Sequence, residues 1–214
     1  TDEIFAYDPH GPKFSLQTMK LPAVRRGHSC AMSANLLIYC FGGLDNGTHG
    51  RFSPSEKIFS ISPENQTVAT QSAFLNPARY SLSCVAGSGN NILCFGGRAK
   101  DWRVLPEIVE YDPDSDKITI RAAKFPIGRE GLSCTRGVGE KIYCFGGMQQ
   151  GSSYRTVDTI VEITPPRAAS KASQRTLHND PAPGAPEPIT LTKEPDAFDD
   201  PLFGCAGGEF GSRR

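Results

Sequence analysis

The chain has 214 residues, of which 22 are Gly and 17 are Pro, a share that suits an all-β protein rich in turns. Twenty-three basic residues balance 23 acidic ones, so no global field would draw it to nucleic acid or to an anionic membrane. No stretch approaches the ~18 consecutive apolar residues that span a bilayer. Thr1 opens the chain with neither a Met nor a signal-like apolar core, as expected of a soluble piece of something longer.

Taken in chain order, residues 1–21 carry Phe5-Ala6-Tyr7-Asp8-Pro9, a short β-rich run closed by a turn signal, and are expected to supply the last two strands of a repeat. Residues 22–74 then run from Gly27-His28-Ser29-Cys30 through Ile38-Tyr39-Cys40-Phe41-Gly42-Gly43 to Phe59-Ser60-Ile61-Ser62-Pro63. Residues 75–125 repeat the series as Leu82-Ser83-Cys84, Ile92-Leu93-Cys94-Phe95-Gly96-Gly97 and Val109-Glu110-Tyr111-Asp112-Pro113. Residues 126–166 repeat it again as Leu132-Ser133-Cys134, Ile142-Tyr143-Cys144-Phe145-Gly146-Gly147 and Val161-Glu162-Ile163-Thr164-Pro165. The first glycines of the pairs are 54 and 50 residues apart, as are Arg25, Arg79 and Arg129, so independent markers share one period. Residues 167–214 carry Pro181, Pro183, Pro186, Pro188, Pro195 and Pro201 among few large apolar residues and are expected to be a disordered tail. It ends in Glu209-Phe210-Gly211-Ser212, which resembles the product of cloning sites.

An apolar strand ending in Gly-Gly, a variable loop, a Tyr-Asp-Pro strand and a hairpin partner, at a period of about 50, resemble the kelch repeat. The resemblance covers residues 1–166. It implies a kelch-type β-propeller fragment of about three and a quarter four-stranded blades: the end of one (1–21), two complete (22–74 and 75–125) and one of three strands (126–166). Where the family usually carries Trp, about six residues after the aspartate, this chain has Phe14, Val68 and Ile118, which fill the slot with other large apolar groups. An open arc leaves blade faces and strand edges unburied, so the ring is completed either by more of the same chain or by a second copy.

Six of seven cysteines form pairs of equal spacing, Cys30 with Cys40, Cys84 with Cys94 and Cys134 with Cys144. A hairpin centred on Asn35, Gly89 or Gly139 would set the members of each pair opposite one another, within disulfide reach. Small buried thiols copied by duplication fit the same pattern. Both readings stand, with reduced thiols and an intracellular setting slightly favoured. Asn46 and Asn65 head sequons and are candidate glycosylation positions, though about one such sequon is expected by chance. Close-spaced metal-ligand pairs are missing from the pattern, so neither a metal site nor a cofactor is expected.

His10, His28, His49 and His178 fall in different parts of the repeat and form no catalytic cluster with other groups, so no catalytic residue is assigned. Kelch-fold copper oxidases and sugar epimerases are the alternative, with their catalytic groups in blades beyond this chain. The resemblance otherwise implies a protein-interaction scaffold or substrate receptor that binds through one loop rim. That rim would gather Arg51, Arg98, Arg103 and Arg155 after the glycine pairs and Arg25, Arg26, Arg79 and Arg129 before the first strands. Guanidinium forks suit an acidic or phosphorylated peptide. Arg25, Arg79 and Arg129 recur in register, so bracing between blades competes with binding for those three. Trp102, the single Trp, lies beside Arg98 and Arg103 in a polar loop, and Trp with Arg is the pairing enriched at interface hot spots.

Overall fold

The computed structural model describes residues 1–11, 13–46, 52–150, 153–164 and 190–193. The described chain is all-β, built of antiparallel sheets in series. A two-stranded half-unit (Glu3–Asp8 with Lys13–Lys20) is followed by three four-stranded units of identical strand order. Unit I comprises Ser29–Met32, Ile38–Phe41, Lys57–Ser62 and Thr67–Phe74. Unit II comprises Ser83–Ala86, Ile92–Phe95, Glu107–Asp112 and Lys117–Lys124. Unit III comprises Ser133–Arg136, Ile142–Phe145, Ile160–Thr164 and Thr190–Lys193.

The second strand of unit II is apolar on both faces, and Ile92, Leu93, Cys94 and Phe95 are all buried, as a strand between two neighbouring sheets requires. Its outermost strand, Lys117–Lys124, alternates between exposed and half-buried and begins and ends on lysine, which blunts an edge. The half-unit and units I and II all carry a bulge at the same place, between Glu3 and Phe5, Lys57 and Phe59, and Glu107 and Val109.

The fourth strand of unit III departs from the sequence expectation. Thr190–Lys193 lies in the tail expected to be disordered, yet it pairs with Ile160–Thr164 and completes a unit expected to have three strands. The physical reason is an otherwise unpaired row of backbone groups along Ile160–Thr164. Leu191, flanked by two β-branched threonines, stands opposite Ile163 in the register where Ile118 faces Tyr111 and Val68 faces Ile61. The remaining tail positions lie outside the described residues.

The hairpins expected around residues 35, 89 and 139 are present, with Cys30 opposite Cys40, Cys84 opposite Cys94 and Cys134 opposite Cys144. All three pairs are disulfide-bonded, so the slight preference for reduced thiols is corrected. Their Cα separations of 4.0, 4.0 and 4.1 Å are those of pairs that exchange no backbone hydrogen bond. The amide of such a residue points away from its partner. Those amides serve the next contact: Cys84 N–H donates to Ser29 Oγ of unit I and Cys134 N–H to Ser83 Oγ of unit II, both at 2.9 Å.

The apolar cores lie between units. Tyr39, Phe41 and Ile58 of unit I meet Cys94, Val109 and Tyr111 of unit II. Leu93, Phe95 and Ile108 of unit II meet Cys144, Val161 and Ile163 of unit III. Met19 and Leu21 close the rear of unit I over Cys40, Phe59 and Ile61.

Each junction is locked at the glycine pair. Gly43 N–H donates to Arg79 O at 2.9 Å and Gly97 N–H to Arg129 O at 2.8 Å, so each pair receives the carbonyl of the next unit's arginine. A Cβ on Gly42 would stand 2.3 Å from Arg79 O, and one on Gly96 would stand 2.1 Å from Arg129 O. Both glycines also hold positive φ, 60° and 62°, in the left-handed region that other residues resist. Gly146, with φ 56°, has only Val157 O at 3.1 Å in that direction.

These contacts set the order of two substitutions. Gly96→Ala and Gly146→Ala should both lose roughly 1–2 kcal/mol to left-handed backbone, while the collision with Arg129 O should add to the loss at 96 alone. Equal losses in denaturant unfolding would contradict the junction described. Alkylation of the denatured chain should label one of the seven cysteines, Cys205, before reduction and all seven after it. Complete labelling without reductant would contradict the three disulfides.

Candidate interaction rim

Short strands bring the segment before each unit's first strand to the loop after its glycine pair. Arg25–Arg26 pairs with Leu44–Asn46, Arg79–Tyr80 with Arg98–Ala99, and Arg129–Glu130 with Met148–Gln150. The two loop sets expected to share a rim therefore do so by backbone pairing within each unit.

The arginines of that rim divide into two groups. Arg25, Arg79 and Arg129 are buried, at 5%, 1% and 5% exposure, and point into the molecule rather than out of it. Each donates from Nη1 to the first glycine carbonyl of its own unit: Gly42 O at 2.6 Å, Gly96 O at 3.2 Å and Gly146 O at 3.1 Å. Asp45 stands 4.0 Å from Arg25 and Glu107 3.8 Å from Arg79, whereas Arg129 uses the Thr159 hydroxyl at 2.7 Å. Burial lowers the pKa of all three guanidinium groups, and the nearby carboxylates oppose that shift at Arg25 and Arg79. They act as internal struts, with no surface left for a ligand. The His28 imidazole is half-buried behind Gly43, where burial first and the Arg25 charge second lower its pKa and favour the neutral ring.

Of the remaining described arginines, Arg26, Arg103 and Arg155 are exposed, whereas the side chain of Arg98 is largely buried. Arg98 is ion-paired with Glu130, a buried carboxylate of the following unit, and its guanidinium lies 4.6 Å from the Tyr154 ring and 5.7 Å from the Trp102 ring. Trp102 is 64% exposed and held at φ 68° by the tight turn in which its N–H donates to Ala99 O at 3.1 Å. Arg103 is exposed and pairs with exposed Asp101, each favouring the other's charged form through their hydrogen bond. Arg155 is exposed on the strand Tyr154–Thr156, and Arg26 stacks 4.7 Å over Phe52. Arg51 lies outside the described residues.

Tyr154 and Glu130 belong to this constellation and were not singled out from the sequence. Their signal was available: each directly adjoins an arginine assigned to the rim. Val104 N–H donates to Gln150 Oε1 at 3.1 Å, tying the loop that carries Trp102 to the loop that carries Tyr154. A cavity of about 460 Å³ opens beside them, walled by Glu130, Gly131, Gly147, Thr156 and Val157.

Asn65 is exposed in the turn between two strands of unit I, and Asn46 is exposed at the end of Leu44–Asn46. His10 is exposed in the turn between the two strands of the half-unit, while His49 and His178 lie outside the described residues. Among the described residues no three His, Cys, Asp or Glu side chains cluster so as to hold a metal ion.

As the chain's single indole, Trp102 reports on this geometry. Its native emission should be that of a solvent-exposed indole and should be quenched by iodide; blue-shifted, unquenched emission would contradict the exposed position.

No family model matches the chain, and no curated protein matches it in sequence. In fold it is similar to the solved structure of YjhT, with a TM-score of 0.67 and 13% identity over 75% of this chain. The chain spans 56% of that protein's length, and at such identity the likeness is one of fold alone.

Proposed function

We propose that the chain is an arc of a kelch-type β-propeller that serves as a protein-interaction scaffold or substrate receptor, taking an acidic or phosphorylated peptide on its loop rim. The observation that carries this is the Trp102–Arg98–Tyr154 stack. Two exposed rings flank a guanidinium whose charge is already met by Glu130, so the stack offers a flat anchor seat rather than a free cation. Large exposed aromatics braced by arginine are what binding hot spots are made of. The charge for an acidic partner comes from Arg103 and Arg155. An exposed ion pair such as Arg103 with Asp101 is worth little, so Arg103 can exchange that carboxylate for a ligand's. The fold likeness and the repeated junction support the propeller reading. Three disulfides in one small chain favour an oxidising compartment.

A library of acidic peptides, phosphorylated and unphosphorylated, tests the reading. Trp102→Ala should weaken the selected peptides roughly 30-fold, the equivalent of about 2 kcal/mol. Arg103→Glu and Arg155→Glu should weaken them further, with little change in Tm. Selection of no peptide, or binding indifferent to all three substitutions, would overturn it.

A further inference from the structure

Asn65, Gln66 and Thr67 form a sequon that the fold sets on the hairpin turn joining the third and fourth strands of unit I, Lys57–Ser62 and Thr67–Phe74. Every residue from Pro63 to Thr67 is exposed. The turn is held by its own hydrogen bonds: Asn65 N–H donates to Ser62 Oγ at 3.2 Å and Gln66 Nε2 to Pro63 O at 2.7 Å, with Gln66 at a left-handed φ of 53°. The Asn65 carboxamide makes no hydrogen bond among the described residues, so its nitrogen is open to chemistry from outside.

This exposure belongs to the repeat and not to the place of unit I in the series. Ser115 holds the same position in the turn of unit II, which has a unit on each side, and it too is exposed. The next residue of each turn meets the preceding sheet: Asp116 accepts the N–H of Ser72 at 2.9 Å and that of Ala73 at 3.2 Å, and Gln66 accepts from the Thr18 hydroxyl at 3.5 Å. One position earlier, the apex faces solvent.

We propose that Asn65 is a site of N-glycosylation. Three disulfides favour an oxidising compartment. In a eukaryotic cell that compartment also holds the donor, an oligosaccharide linked to a lipid through pyrophosphate. In the transfer Asn65 Nδ2 bonds to C1 of the terminal sugar, the bond from C1 to the pyrophosphate oxygen breaks, the lipid pyrophosphate leaves, and the amide nitrogen gives up one proton. Thr67 supplies the hydroxyl two residues on that the acceptor motif requires. A sequon that arises by chance is silent where it is buried, whereas this one stands at an apex with room for a bulky, polar chain.

The fold also decides what the glycan leaves free. Lys57 opens its strand beside the glycine pair, its C=O accepting Gly42 N–H at 3.1 Å, and the strand carries the chain about 20 Å onward to the turn. The rim loops adjoin the glycine pairs, so the glycan stands at the opposite end of the sheets from Trp102. Asn46, which heads the other sequon, lies at the rim end, and its Gly47 and Thr48 fall outside the described residues.

Directing the full chain into the endoplasmic reticulum of a eukaryotic cell, followed by peptide mapping, tests this. Peptide-N-glycosidase should release a glycan from Asn65 and convert that residue to Asp. In an Asn46→Gln background, where Asn65 heads the remaining sequon, the intact mass should fall on that treatment. Adding Asn65→Gln or Thr67→Ala should abolish the fall, and Thr67→Ser should preserve it; all of these change exposed side chains. Iodide quenching of Trp102 should be the same before and after release. Asn65 found unmodified in chain recovered from that compartment, secreted or retained, would overturn the proposal, as would a glycan on Asn65 that persists in Thr67→Ala. Quenching altered by release would overturn the placement opposite the rim. Modification is read without a peptide partner, so failure here leaves the rim reading standing.

Discussion

One backbone carbonyl per unit holds this architecture in register. The arginine that opens a unit places its C=O against the glycine pair of the unit before, at 2.9 Å from Gly43 N and 2.8 Å from Gly97 N. That approach leaves no room for a Cβ on Gly42 or Gly96, which explains why the glycine pair recurs while the loops around it vary freely in length and composition. The same arginine sends its side chain back to its own unit's first glycine carbonyl, so one residue joins two sheets through its main chain and braces one through its guanidinium. Burying three cations in this way is tolerable because each has carbonyl, hydroxyl or carboxylate oxygens close by.

That constraint also decides which charges remain at the surface. Arginines repeated in every unit are consumed by the scaffold, and those that differ between loops are left on the surface. Arg98 stands between these cases. Its charge is spent on Glu130 of the next unit, but its flat face is spent on Trp102 and Tyr154, so the contact that ties two units also presents their exposed rings. The tie between two units and the placement of two exposed rings thus depend on one residue.

The disulfides belong to the same scheme. Each bridges the first and second strands at a pair without mutual hydrogen bonds, which in units II and III leaves the first strand's amide to reach a serine of the preceding unit. Ser29 and Ser83 accept these bonds, so the Ser-Cys dipeptide is a joint in its own right: the serine serves the unit that follows and the cysteine closes the hairpin within.

What the sequence determined by itself is whatever repeats. The period of the Gly-Gly pairs, the ten-residue spacing of the cysteines and the Tyr-Asp-Pro strands were enough to locate the hairpins and the register of the cysteine pairs, because the alternation of a strand and the geometry of a turn are local. Three matters were left to tertiary structure. For Arg25, Arg79 and Arg129 the in-register recurrence favoured struts over ligands without deciding between them, since direction depends on a carbonyl 17 residues away in the chain. Thr190–Lys193 was hidden in a proline-rich stretch, because four residues of strand propensity mean little until an unpaired edge is there to receive them. The commitment of Arg98 to Glu130 joins residues 32 apart on different units, and no local pattern announces which of eight arginines will find a buried carboxylate.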